Sequence, residues 1–411
     1  MTAADAVAVD WLPTLKPGWK LRPLWSMFER VKDTGHPDEQ MLSVFRDYGV
    51  VTKDSRDNLN KTAENRDIYQ LVHPGWLVTN RMKAWQGSVG ISSLRGIVSG
   101  HYICFAPRHS EDSGYLNWLF RSPLYAHAYL LLSRGVRIGQ VEIDNDDYRV
   151  LPVLLPPLDE QRAIASYLDR ETARIDKLIA EQQRLVELLR ERREATISEA
   201  LSGPEAVRLR RLVDPGRPMT YGILQCGEPV ADGVPYIGPS DMPGQGKSPP
   251  LNSLRRTTEE IASVYKRSVL SGGDIVVSIG PAYGKVALLE ADLAGANLTQ
   301  DTVRVAALPD LVDSRYLVWV LLSREVFRYW DVEIMGATFR RLNLGTLART
   351  PIPLPPLDKQ RRIVAYLGEQ TANIDTLIAE TERFIALSLE RRSSLINAAV
   401  TGQVDVRSEV A

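Results

Sequence analysis

Two phrases in this chain are almost the same. Leu155 to Arg162 reads LPPLDEQR and Leu354 to Arg361 reads LPPLDKQR, 199 residues apart in a chain of 411. The match runs on without a gap. YLDRETARIDKLIAEQQR (Tyr167 to Arg184) lies over YLGEQTANIDTLIAETER (Tyr366 to Arg383), Glu191-Arg192-Arg193 lies over Glu390-Arg391-Arg392, and both segments close on a glycine, Gly203 and Gly402. Roughly half of the aligned positions are identical. A period this long is not that of a solenoid, whose repeats run about 20 to 50 residues. It is the mark of a duplicated large unit, ordered domain, helix, domain, helix.

Each repeated segment predicts one long helix. Pro-Pro cannot continue a helix backwards, Asp159 and Asp358 are placed as N-caps, and the closing glycines suit the position just past a helix end. From Asp159 to Ser202 the rod would be about 65 Å long at 1.5 Å per residue. Leu168, Ile175, Leu178, Leu185 and Leu189 fall at the a/d spacing of a left-handed coiled coil, and Leu367, Ile374, Leu377 and Phe384 repeat it until Ser388 interrupts. Gln182 and Thr381 then stand at a seam position, where a polar residue fixes register at some cost in stability. Duplication of the whole seam predicts that the copies pair with each other. If they are related by a two-fold, they run antiparallel and carry one globular domain at each end.

The remaining segments share only a skeleton. GYLNWLFRS (Gly114 to Ser122) lies over RYLVWVLLS (Arg315 to Ser323), which matches Tyr115 with Tyr316 and Trp118 with Trp319 as helix core. The pattern predicts α+β domains, with strands near 76–80, 97–105, 275–279, 286–289 and 302–306 and helices near 114–133 and 314–331. The Pro-, Gly- and Ser-rich stretch 235–256 reads as loop. The expected division is domain 1–153, helix 154–203, domain 204–352, and helix with tail 353–411.

Motifs that carry chemistry fail where they can be tested. DMPGQGKS (Asp241 to Ser248) ends like a phosphate-binding loop, but Asp241 stands in place of the first glycine and Pro249-Pro250 forbids the helix that would follow. GPAYGKV (Gly280 to Val286) is too short for that loop. There is no Gly-x-Ser-x-Gly elbow, His-Glu-x-x-His, glycine-rich dinucleotide fingerprint or Asn/Asp-Pro-Pro-aromatic tetrapeptide of an amino-methyltransferase. The five histidines are scattered, and Cys104 and Cys226 suggest neither a disulfide nor a zinc site, so no metal is expected. No apolar run is long enough to span a bilayer and the N-terminus lacks a secretory pattern, so a soluble cytoplasmic protein is expected.

What remains are loops that combine basic, amide and aromatic groups. These are Arg81, Lys83, Trp85 and Gln86 after one strand, Arg134, Arg137 and Gln140 after the helix over 114–133, and Tyr283 and Lys285 with Thr338, Arg340, Arg341 and Asn343 in the second half. Arginine matches guanine edges, glutamine and asparagine match adenine, and lysine holds phosphates. The formal net charge of −1 supplies no overall basic excess. Any cationic face must therefore be concentrated locally.

Two divergent domains, each followed by Pro-Pro-Leu-x-x-Gln-Arg and a long helix containing Ile-Asp-x-Leu-Ile-Ala-Glu, resemble the specificity subunit of a Type I restriction-modification system. The resemblance covers essentially the whole chain. It implies two target recognition domains, each reading one half of a split, asymmetric double-stranded DNA sequence, with the paired helices as spacer and docking platform. Two modification (methyltransferase) subunits and restriction subunits would be the partners. Those partners would bring S-adenosylmethionine, ATP and Mg, while this chain itself would hold no cofactor and would not be an enzyme. The rival reading is a coiled-coil adaptor whose globular domains bind protein.

Overall fold

The computed structural model describes residues 11–55, 66–137, 140–203, 205–280, 282–334 and 341–406; for 135–137, 140 and 141 only the backbone is described. The chain divides into two compact units. One comprises Met1–Gln183 with Arg383–Ala411, the other Arg184–Glu382.

In the first unit, strand Lys20–Pro23 pairs antiparallel with Pro152–Leu155, joining the start of the described chain to the root of the first long helix. An antiparallel four-stranded sheet follows, in the order Phe28–Val31, Tyr102–Pro107, Leu77–Asn80, Val89–Ile91. Helices Ser113–Arg121 and Pro123–Leu131 complete the core, where Leu77, Tyr115, Leu119, Phe120, Tyr125, Tyr129 and Tyr148 are fully buried. Burial satisfies the hydrophobic part of these tyrosines, and each phenol finds a partner, as a buried hydroxyl must. Tyr115 donates to the Leu154 carbonyl at 2.9 Å and Tyr125 to that of Pro152 at 2.8 Å.

The single helix expected over 114–133 is two. Ser122 ends the first, and its Oγ accepts from the Tyr125 N–H while Pro123 opens the second, where a missing N–H costs nothing. The strand expected over 97–105 likewise divides into Gly96–Val98 and Tyr102–Pro107.

The second unit repeats this plan. Ala206–Arg208 pairs with Pro351–Pro353, and the four-stranded sheet runs Thr220–Tyr221, Thr302–Val305, Ile275–Ser278, Val286–Leu288. Its helices are Ser314–Leu321 and Arg324–Ile334 in place of one over 314–331. The stretch read as loop contains a strand, Val234–Ile237, which pairs in parallel with Asn297–Leu298. Gly222 is required nearby, because a Cβ there would stand 2.0 Å from the Leu298 carbonyl oxygen.

The long helices are Leu158–Leu201 and Leu357–Val400, 44 residues each. Asp159 and Asp358 do not cap these helices but lie inside the first turn, where a carboxylate still faces the positive end of the helix dipole. The repeated Gln-Arg phrase has a structural reason. Gln161 is fully buried; its carbonyl accepts from the Asp112 N–H at 2.9 Å and its amide donates to the Pro156 carbonyl at 2.9 Å and to Glu111 at 2.6 Å. Gln360 does the same in the second unit, with the Asp313 N–H at 2.8 Å and the carbonyls of Pro355 and Leu311 at 2.8 and 3.1 Å. Each glutamine latches a long helix to the cap of a domain helix.

Within each unit the two long helices run antiparallel. In the first, Arg392 grips Asp176 with two bonds of 2.8 and 3.1 Å; in the second, Arg193 grips Asp375 at 2.8 and 3.3 Å. The 199-residue offset converts one pair into the other. Of the residues expected in the seam, Leu168, Leu189, Leu367 and Ile374 are buried and Ile175 is half-buried. Leu178, Leu185, Leu377 and Phe384 are instead 37%, 41%, 49% and 42% exposed. One position along a helix turns a side chain by about 100°, and the neighbours Ile179, Val186, Ile378 and Ile385 take the inward places. Gln182 and Thr381, expected at a polar seam position, are half-buried. Among the described residues no helix is long and apolar enough to cross a membrane.

Candidate nucleic-acid interface

In each unit one loop leaves the middle of the four-stranded sheet for its edge strand, and a second segment leads from the paired helices to a short helix. The first unit builds these as the loop between Leu77–Asn80 and Val89–Ile91 and the hairpin Ser133–Arg137/Gln140–Ile143. The second builds them as the loop after Ile275–Ser278 and the stretch before Leu344–Arg349. One backbone bond ties the two parts together in both units: Ile143 N–H to the Arg81 carbonyl at 3.2 Å, and Leu342 N–H to the Ile279 carbonyl at 3.0 Å. The bond brings the segment that carries Arg81 beside the hairpin in the first unit, and Arg341 and Asn343 beside the loop after Ile275–Ser278 in the second.

Their individual roles differ. Lys83 and Gln86 are exposed at a one-turn helix, Ala84–Gln86, beside half-buried Trp85, whose indole N–H donates to the Met82 carbonyl at 3.1 Å. Arg81 pairs with Glu142. Arg134 is exposed and pairs with Asp147 at 2.7 Å and Asp144 at 3.8 Å; the bond to Asp147, then the charge of Asp144, hold its guanidinium above its ordinary pKa. The side chains of Arg137 and Gln140 lie outside the described residues, as do Thr338 and Arg340 altogether.

In the second unit, Tyr283 stacks on Phe327 with centroids 6.1 Å apart and its hydroxyl donates to Asp331. Lys285 donates to the carbonyls of Pro239 and Met242 at 2.8 and 3.2 Å, which anchors the loop. Arg341 pairs with Asp301 at 2.8 Å and reaches the Gln300 carbonyl at 3.1 Å. Asn343 caps the short helix by accepting from the Thr346 N–H at 2.8 Å.

The sequence reading missed three residues. Tyr221 and Leu224, each about half exposed, and Gln300 border a cavity of about 370 Å³ with Arg341 and Asn343. An aromatic face, an aliphatic group and amides around one cavity suit the edge and methyl group of a base. Their signal in sequence was weak, since neither TYGIL nor Gln300 stands in a cluster of basic and amide residues. Among the described residues no group of three or more His, Cys, Asp or Glu could hold a metal ion.

Residues 230–383 match the Type I restriction modification DNA specificity domain. The chain is 27% identical over 278 residues to the Type I restriction enzyme EcoBI specificity subunit of Escherichia coli, which covers 61% of this chain and 58% of that protein. It is 24% identical over 304 residues to the MjaVIII specificity subunit of Methanocaldococcus jannaschii, covering 68% of each. The chain thus spans less than two thirds of the length of the first of these relatives. Among solved structures, one described as showing complex assembly and conformational transition of the type I R-M system superposes with a TM-score of 0.75 at 16% identity, over 95% of this chain and 100% of that one. The HsdS subunit from Thermoanaerobacter tengcongensis gives 0.57 at 18% identity, over 95% and 99%. These two likenesses concern the fold.

Proposed function

We propose that this member of the Type I restriction-modification specificity-subunit family reads a bipartite DNA target, one half-site with each globular unit. The observation that carries the reading is the loop edge built twice on one backbone plan, with the same interloop hydrogen bond but different side chains. Two readers of common ancestry and unlike contacts call for an asymmetric target with an unread spacer.

The long helices would set the spacer. At 44 residues each measures about 66 Å, enough to keep two half-sites roughly one DNA turn, about 34 to 36 Å, apart. Their exposed apolar residues, such as Leu185, Leu188 and Leu377 in the second unit and Leu387 in the first, suit protein partners better than solvent. Two modification subunits would dock there and bring S-adenosylmethionine; restriction subunits would bring ATP and Mg. The chain itself would select the sequence and leave the chemistry to those partners. Nuclease protection by the chain together with its modification subunit tests this reading. Two protected tracts flanking an accessible gap are expected, and one continuous tract would contradict it.

A further inference from the structure

In the first unit, a cavity of about 250 Å³ between the domain and the second long helix, next to the loop that carries Lys83 and Gln86, is lined by Arg46, Asp47, Trp118, Arg121, Leu389 and Arg392. The stem of Arg46 lies against the end of that loop, since a Cβ on Gly87 would meet it at 3.1 Å. Arg121 is held in place by its Nε, which donates to the Arg46 carbonyl at 3.0 Å, and its guanidinium lies 5.2 Å from the centre of the Trp118 ring. Of the three carboxylates that act on Arg121, two are engaged elsewhere. Asp169 accepts from the Trp118 indole at 2.8 Å and Asp176 holds Arg392. Asp47 stays exposed at the rim. Among the described residues, neither Arg46 nor Arg121 has a carboxylate within ion-pair distance. Burial, then the adjacent Arg392 guanidinium, push Arg121 down to about 10 against the smaller opposing effects of Asp47, Asp169 and Asp176, still protonated at neutral pH.

The second unit supplies an internal contrast. A cavity of about 280 Å³ between its second domain helix and the long helix is lined by Glu191, Glu194 and Glu325 with Arg324 and Arg328. There Arg324 pairs with Glu194 at 3.4 Å and Ser198 donates to Glu325. That groove already holds its own anions.

We infer that Arg46 and Arg121 form a seat for one DNA backbone phosphate beside the half-site read by the first unit. The inference rests on the DNA-reading function proposed above. A phosphate there positions the duplex without reporting sequence, and a pair of guanidinium groups suits its oxygens.

The test is binding of a mixed-sequence duplex of about 30 base pairs to the full chain across a salt series from about 50 mM. Arg46→Gln is expected to weaken binding about 5- to 10-fold at about 100 mM salt and to flatten the plot of log K against log salt by about one unit. Arg46 is exposed, so this variant should fold, which a thermal melt checks. Adding Arg121→Gln should flatten the plot no further, and Arg324→Gln in the second unit should leave it unchanged. Parallel lines for wild type and Arg46→Gln overturn the phosphate seat, and if Lys83→Ala still weakens binding the DNA reading survives. Loss of polyglutamate binding in Arg46→Gln with unchanged duplex binding would make the cavity a seat for a protein partner and also overturn the inference. Absence of any duplex binding by wild type at the lowest salt would overturn both.

Discussion

Gln161 and Gln360 are the residues on which the repeated phrase turns. Each is buried and fully bonded, so Gln161→Ala leaves a backbone N–H and a carbonyl without partners. A loss of about 2 to 3 kcal/mol is expected from such orphaned groups, measured as a fall in the urea midpoint; an unchanged midpoint would refute the latch. His109 makes a pH-dependent contribution. Burial lowers its pKa below the ordinary 6.5, against the smaller opposing effect of Glu111. The unfolded chain therefore takes up the proton at higher pH than the folded one, so stability falls as pH drops below about 6.5. His109→Gln should flatten that part of the stability profile, and an equally steep profile would contradict the assignment. At the candidate interface, Tyr221→Ala and Leu224→Ala should cost about 1 to 3 kcal/mol in specific DNA binding with little change in melting temperature, because both side chains are about half exposed. A large drop in melting temperature would mark them as core instead.

The long helices show where sequence periodicity succeeds and where it fails. Their existence and antiparallel pairing were legible, because the phrase, the prolines and the heptad spacing are all written twice, while the residues read as N-caps lie inside the first turn. The seam was read one position off at Leu178, Leu185, Leu377 and Phe384, since an apolar residue follows each in the sequence and a seven-residue period fits both choices. Burial alone separates them. The Arg193–Asp375 and Arg392–Asp176 pairs are partly exposed and worth at most about 1 kcal/mol each; their use is to fix register. Inserting one heptad into each helix, near Gln182 and Thr381, keeps that register and adds about 10 Å. The DNA spacer should lengthen by about three base pairs at roughly 3.4 Å each, with half-site sequences unchanged. Altered bases within a half-site would contradict the spacer role.

At the scale of the whole molecule, the duplication was legible, and the surroundings of the candidate residues only in part. The loops that carry the candidate residues could be named, because polar and basic residues follow a recognisable strand. Which side chains remain free could not, because pairing depends on partners distant in sequence. Arg341 meets Asp301 and Lys285 meets the carbonyls of Pro239 and Met242, neither of which spacing reveals. The near-neutral charge of −1 is consistent with a few local cationic seats in place of a broadly basic face. The central claim is that two unlike readers on one chain select the two halves of one site. Methylome sequencing of cells carrying the chain with its modification subunit tests it most directly: an asymmetric motif split by a fixed unspecified gap is expected, and a single uninterrupted or palindromic motif would contradict it.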